Sequence, residues 1–506
     1  MNNNPGVRPG IGQRALDRIE NWGNRLPEPA TLFLILIAIV LALSWLTAQL
    51  GVAVEHPGTG EIIEANNLLD REGIQRIFTE MVDNFAAFPP LGLVLVAMLG
   101  IGVAERSGLI AAALRGFIGW VPRSWATGAL ILAGILSSIA ADAGYVVLIP
   151  LGAMLFYGMG RHPLAGLAAA FAGVSAGFSA NLVLTALDPM LAGFTTSAAA
   201  LIDETYAVDA AANWFLMAAL VPVYVLGGVY VTERVIVPRL GGYEGAYASD
   251  QEGMNLSAGE RRGLAWAGAA VALCVLLIAG ASVPERGILR SDDGGFGPLL
   301  QSLVPLMLIL FFIPGLVFGI VTGKIRREKD AVDMTAETMS SMGAYIVLAF
   351  VAAQFVAYFG WSELGAILAI QGANMLEAAG IGGIPLLIAF IIVSAFINLF
   401  VGSASAKWAI MAPVFVPMFM LMGYSPELTQ AAYRIGDSFT NIITPILPYF
   451  PLIIVSARRY APNTGIGAII AMMTPYSIAF GLLGAVMLLV WFLLGLPLGP
   501  GAPLVY

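Results

Sequence analysis

The stretch from residue 398 to 451, NLFVGSASAKWAIMAPVFVPMFMLMGYSPELTQAAYRIGDSFTNIITPILPYFP, decides how this chain is read. It is apolar enough to lie in a bilayer, yet it carries Lys407, Glu427, Arg434 and Asp437, a Gly-Ser-Ala-Ser turn at residues 402–405, and a helix-interrupting run from Asn441 to Pro448. Ionised side chains and unpaired backbone groups cost kilocalories in lipid, so such residues normally face a partner, a cavity or a passing solute. The stretch reads as half of a transport site.

The rest of the chain shares this solvent. Hydrophobic residues make up 59% of the 506 and charged residues 11%, with a mean hydropathy of +0.86; soluble domains carry about 25% charged residues. This is a polytopic membrane protein whose partner is the lipid bilayer, with room for about ten spans of about 20 residues and no long soluble domain. A formal charge of -8 without a basic block gives no support to nucleic acid as a partner. The single Cys274 excludes an intramolecular disulfide, and His56 and His162 are too few for a histidine-rich metal or haem centre, so no redox cofactor is expected. There is no P-loop and no serine-histidine or paired-metal constellation, which disfavours nucleotide-driven pumping and an intramembrane enzyme.

Nine apolar spans are predicted, at about 30–50, 88–105, 163–187, 212–238, 263–283, 299–322, 340–360, 428–456 and 464–496. Two further stretches, 124–160 and 383–423, are each broken at the middle by small or polar residues, SSIAADAGY at 137–145 and FVGSASAKW at 400–408, and read as re-entrant hairpins. Arginines and lysines fall in alternate loops with the N-terminus, which places residues 1–29 in the cytoplasm; stretches such as 61–80, 203–209 and 291–296 read as outer loops. Traced through, the first hairpin enters from the cytoplasmic side and the second from the outer side. The chain then divides into 30–123 (first spans and an inner surface helix), 124–190 (first hairpin and broken helix), 191–382 (connecting and scaffold spans), 383–457 (second hairpin and broken helix) and 458–506 (last span and short outer tail).

An internal repeat supports this division. Shifted by 263 places, residues 141–175 align without a gap on 404–438, with eleven of thirty-five pairs identical, among them Pro150 with Pro413, Gly160 with Gly423, Pro163 with Pro426 and Gly173 with Gly436. Inverted repeats with discontinuous helices are the sequence signature of secondary transporters, which bind substrate and coupling ions at the repeat interface. The fold class expected is all-α, with nine transmembrane helices plus two oppositely oriented hairpins.

The chemistry should sit at the breaks. Asp188 and Asp437 are candidates for coupling, since a carboxylate in a partly dry site can bind and release protons. Asp437 also lies three residues after Arg434 on one helix face, so the two could simply neutralise each other. Asp142 could cap a half-helix. Arg434 can hold a substrate carboxylate by a two-pronged hydrogen bond, and Trp408 offers a flat face to an aromatic solute, although membrane tryptophans are more often packing. Lys407 could snorkel. Ser405, Asn181, Thr185, Asn441 and Thr444 supply neutral oxygens for substrate or for a bound Na+, or bond back to their own backbone. Pro426 and Pro445 shape the helix breaks, and His162 reads as a loop residue.

AADAGYVVLIPL (140–151), AGVSAGFSANLVLTALDP (172–189), SASAKWAIMAPVFVPM (403–418) and AYRIGDSFTNIITPILPYFP (432–451) resemble the signature segments of the p-aminobenzoyl-glutamate transporter, or AbgT, family, in particular its YdaH and MtrF types. The resemblance implies a homodimer in the bacterial inner membrane and a small-molecule substrate. It implies p-aminobenzoyl-glutamate uptake, or export of sulfonamide antimetabolites driven by the proton gradient. It marks Asp188, Ser405, Trp408, Pro426, Arg434, Asp437 and Pro445 as functional positions. Sodium-coupled import of p-aminobenzoyl-glutamate or a related dicarboxylate is the alternative.

Overall fold

The structure, a computed structural model, describes residues 27–55, 60–139, 144–243, 256–292, 294–444 and 447–506. Among these the regular secondary structure is helical apart from one antiparallel ribbon, Ala53–Glu55 against Ile62–Glu64. Eight helices among the described residues are long and apolar enough to cross a bilayer: Pro29–Gln49, Arg71–Arg106, Trp214–Leu240, Ala258–Ser282, Leu303–Thr322, Gly343–Trp361, Ala404–Leu421 and Ile466–Leu493. Seven of them fall on predicted spans, and Ala404–Leu421 is the second arm of the predicted 383–423 hairpin.

The other two predicted spans are not continuous helices. The first consists of Pro163–Phe171, a wide π-helical turn Ala172–Ala176, and non-helical backbone as far as residue 186. The second is Pro426–Thr440, followed by non-helical backbone at 441–444 and 447–449 and then Phe450–Arg458. Ser, Thr and Asn offer the backbone alternative hydrogen bonds at both places, and Pro189 in the first turn of Leu187–Ala199 lacks the N–H that a helix continuing through it would need.

The predicted outer loop at 61–80 is a correction. It contains the second ribbon strand and most of the helix Arg71–Ala86, which Asp70 caps by accepting the Gly73 N–H at 2.7 Å. Its apolar residues recur at helical spacing but between charges, so they do not register as a span; Ile74, Phe78 and Val82 form an exposed stripe along it.

The aligned repeat positions take equivalent structural roles. Helices Ile149–Gly158 and Ala404–Leu421 are each followed by a glycine with positive φ, 71° at Gly160 and 81° at Gly423. Pro163 and Pro426 then open the next helices. Those helices are capped by His162, whose Nδ1 accepts the Leu164 N–H at 3.3 Å, and by Ser425, whose Oγ accepts the Leu428 N–H at 3.1 Å. This is the ordinary chemistry of a sharp helix-to-helix turn. His162 is therefore a cap and not merely a loop residue. Beyond the turn, Gly173 packs against the helix Ala126–Leu136 so closely that a Cβ would stand 2.5 Å from the Ile131 carbonyl oxygen. Gly436 meets Gly383–Asn398 in the same way, 2.5 Å from the Ile391 oxygen.

Candidate functional site

Four ionisable side chains are buried where the two repeats meet, and they form two ion pairs. Arg434 donates from Nη1 to Asp188 Oδ1 at 2.7 Å, joining the second repeat to the first. Asp188 Oδ2 accepts from both the backbone N–H and the hydroxyl of Thr185, at 2.6 and 2.9 Å. Lys407 bonds to Asp437 Oδ1, and both side chains are 1% exposed. The local Arg434–Asp437 neutralisation allowed by sequence spacing is thus not formed; each group takes a partner on another helix. Lys407 does not snorkel, because its ammonium is held in the core by Asp437 and by Asn398 Oδ1.

Asn398 sits at the C-terminal end of Gly383–Asn398 and organises the second pair. Its amide N–H groups reach the Asp437 carbonyl oxygen at 2.6 Å, Thr440 Oγ1 at 2.7 Å and Asn441 Oδ1 at 2.8 Å, which leaves Oδ1 turned towards Lys407. Tyr433 closes the other side, donating to the Ala404 carbonyl oxygen at 2.5 Å with its oxygen 3.4 Å from Asp437 Oδ1.

Trp408 is fully buried. One face stacks on Tyr433 with ring centroids 4.5 Å apart, and its indole N–H donates to Thr195 Oγ1 at 2.9 Å. Thr195 lies 2.5 Å from Gln430 Oε1, and Gln430 donates to Asn213 Oδ1 at 2.9 Å. Asn213 donates in turn to the Glu427 carbonyl oxygen at 2.9 Å, while the Glu427 carboxylate accepts from Tyr206 at 2.9 Å. A polar lattice therefore runs from the start of Pro426–Thr440 to the indole, through residues of the second repeat and of the segment that follows the first.

The other predicted positions are dispersed around this centre. Ser405 lies in the first turn of Ala404–Leu421, 3.2 Å from Ser403, which is the capping residue. Asn181 donates to Ser138 at 2.6 Å and Thr444 to the Leu399 carbonyl oxygen at 3.3 Å, so the four oxygens considered for Na+ fall in separate hydrogen-bonded places, Thr185 beside Asp188 and Asn441 beside Asn398. Pro426 opens its helix behind Ser425. Asp142 and Pro445 lie outside the described residues. Sequence reasoning assigned no role to Asn398, Tyr433, Thr195 or Gln430. Asn398 alone carried a signal, as a lone amide at the end of an apolar run.

A buried charge pair that joins two structurally repeated helix sets at their breaks, with a second buried pair beside it, in a chain of membrane-length apolar helices, defines a multi-pass membrane transporter. The chain belongs to the AbgT transporter family, whose family model matches residues 14–506. It is 37% identical over 486 residues to the p-aminobenzoyl-glutamate transport protein of Escherichia coli, spanning 96% of this chain and 95% of that one. Among solved structures it matches the YdaH transporter of Alcanivorax borkumensis with a TM-score of 0.90, at 43% identity over 94% of this chain and 100% of that one. It also matches MtrF of Neisseria gonorrhoeae, described as illuminating a class of antimetabolite efflux pumps, with a TM-score of 0.92, at 46% identity over 97% of this chain and 100% of that one.

Proposed function

We propose that this protein is a secondary active transporter of the bacterial inner membrane, driven by the proton gradient. It would move p-aminobenzoyl-glutamate-like compounds of the folate pathway, export sulfonamide antimetabolites, or do both. On this reading it has nine transmembrane helices and two re-entrant hairpins entering from opposite faces, works as a homodimer and keeps its N-terminus in the cytoplasm. The observation that carries it is the Arg434–Asp188 pair, which ties one repeat to the other at their breaks. A bond there is one that alternating access must remake as the repeats move. Arg434 Nε has no hydrogen-bond partner among the described residues although it is buried, so the guanidinium has an unused donor for a substrate anion. Trp408, with one face on Tyr433, would stack the aryl amine common to both substrate types.

Purified protein in liposomes tests this directly. Labelled p-aminobenzoyl-glutamate and a sulfonamide are offered under imposed proton and sodium gradients in separate arms, with Asp188→Ala and Asp437→Ala as controls. Proton-dependent flux of either compound, lost in both variants, is the expected result. Flux that follows only the sodium gradient would favour the sodium-coupled importer, with Na+ among the neutral oxygens of Asn181, Thr185, Asn441 and Thr444. No flux of either compound under either gradient would overturn the assignment.

A further inference from the structure

The two buried carboxylates are not equivalent. Asp188 has both oxygens engaged: Oδ1 by the Arg434 guanidinium, Oδ2 by the Thr185 N–H and hydroxyl. All three are donors, so a proton added to Asp188 would displace one of them. Asp437 differs: Oδ1 holds Lys407 and faces Tyr433, but Oδ2 is buried with no hydrogen-bond partner among the described residues. A carboxylate oxygen in that condition has room for a proton.

We propose that Lys407 is a second carboxylate-binding group of the transport site, released to a substrate carboxylate when Asp437 takes up a proton at Oδ2. The inference rests on the substrate reading above. In the step, hydronium gives up a proton to Asp437 Oδ2, breaking one of its O–H bonds and leaving water, and no bond to hydrogen within the protein breaks; the Lys407 ammonium stays protonated and stays on Asn398 Oδ1. The buried set Lys407, Arg434, Asp188 and Asp437 then passes from neutral to one net positive charge. An unbalanced buried cation draws in an anion, so proton and carboxylate bind with mutual reinforcement. The groups around Asp437 confine the effect. Its own helix presents Arg434 and Tyr433, Ala404–Leu421 presents Lys407, and Leu187–Ala199 presents Asp188. Gly383–Asn398 presents only the neutral Asn398, and Ile466–Leu493 has Tyr476 as its one titratable residue, bonded instead to Thr232. Arg434 is already held by Asp188, so Lys407 is the cation that protonation sets free.

Equilibrium binding to the full-length purified protein tests this, with p-aminobenzoyl-glutamate as probe and its diamide, which has no carboxylate, as comparison. Affinity for the dicarboxylate should rise as pH falls, by up to about tenfold per pH unit, the limit for one linked proton; diamide binding should be flat. Asp437→Asn should bind the dicarboxylate independently of pH, and Lys407→Met should lose both the slope and the preference for the dicarboxylate over the diamide. Lys407→Arg retains the charge and keeps the test available if the methionine variant does not fold. A slope that is absent from the wild type, reversed, or kept by Asp437→Asn would overturn the inference while leaving the substrate reading intact. Failure of the wild type to bind the dicarboxylate at any pH would overturn both.

Discussion

At the scale of single residues, the energetics of the site follow from which groups are buried and which are paired. Asp188→Ala leaves Arg434 buried without its counter-charge, which should destabilise the protein by about 3–5 kcal/mol. Removing both partners, in Asp188→Ala with Arg434→Met, should restore much of that stability in thermal unfolding while transport stays absent. If the double variant unfolds as easily as the single one, the pair is not the origin of the loss. Thr195 accepts the Trp408 N–H, and its hydroxyl also lies against Gln430. Thr195→Val keeps the shape and strands these groups, at about 1–3 kcal/mol. Substrate affinity should fall several-fold with little change in maximal rate, and Thr195→Ser should recover it; a fall in rate at unchanged affinity would remove Thr195 as a positioning residue for Trp408. Much of this was hidden in the sequence for one reason. Arg434 and Asp437 have the spacing of a local pair, and only the packing of Leu187–Ala199 and Ala404–Leu421 against Pro426–Thr440 supplies each with a nearer partner.

At the scale of helices, the repeat is a matter of close contact. Gly173 lets the turn Ala172–Ala176 approach Ala126–Leu136, and Gly436 lets Pro426–Thr440 approach Gly383–Asn398; an added methyl would stand 2.5 Å from a backbone oxygen in both cases. Backbone cannot yield as a side-chain tip does, so Gly173→Ala and Gly436→Ala should each cost about 1–3 kcal/mol and lower the melting temperature by similar amounts. Gly92→Ala is the control, since nothing lies within 4 Å of the added carbon and alanine favours the helix. Similar losses at both crossings and none at Gly92 would show that the two repeats rely on the same contact; a large loss at one crossing alone would count against that equivalence. These elements were legible because identical residues recur at a fixed offset, and Pro163 with Pro426 and Gly160 with Gly423 mark turns that few other residues make. Arg71–Ala86 was not legible as a helix, because its apolar residues alternate with charges and the stretch reads as an acidic loop to any search for continuous hydrophobic runs.

At the scale of the whole molecule, composition made the membrane class plain and long matched motifs made the family plain, but neither orients the chain. Orientation rests on charge: Lys324, Arg326, Arg327 and Lys329 gather after one end of Leu303–Thr322, whereas Asp292 and Asp293 precede the other. A 20-residue helix is about 30 Å long, so these two clusters stand on opposite sides of a bilayer if this helix crosses it. The positive-inside rule then predicts Lys329 in the cytoplasm and Asp292 outside; six predicted spans separate the N-terminus from the lysine cluster, so the two are expected on one side. Because Cys274 is the single cysteine, a Cys274→Ser background is free of native thiols. In that background an impermeant maleimide applied to intact cells should label Asp292→Cys and leave Lys329→Cys unreacted until the membrane is opened. Both positions are exposed, so lack of reaction would report sidedness and not burial. The opposite pattern would invert every loop at once, and with them the faces from which the two proposed hairpins enter. The site would keep its geometry, but the face from which a proton reaches Asp437 would change, and with it the direction in which an inward proton gradient could drive a carboxylate.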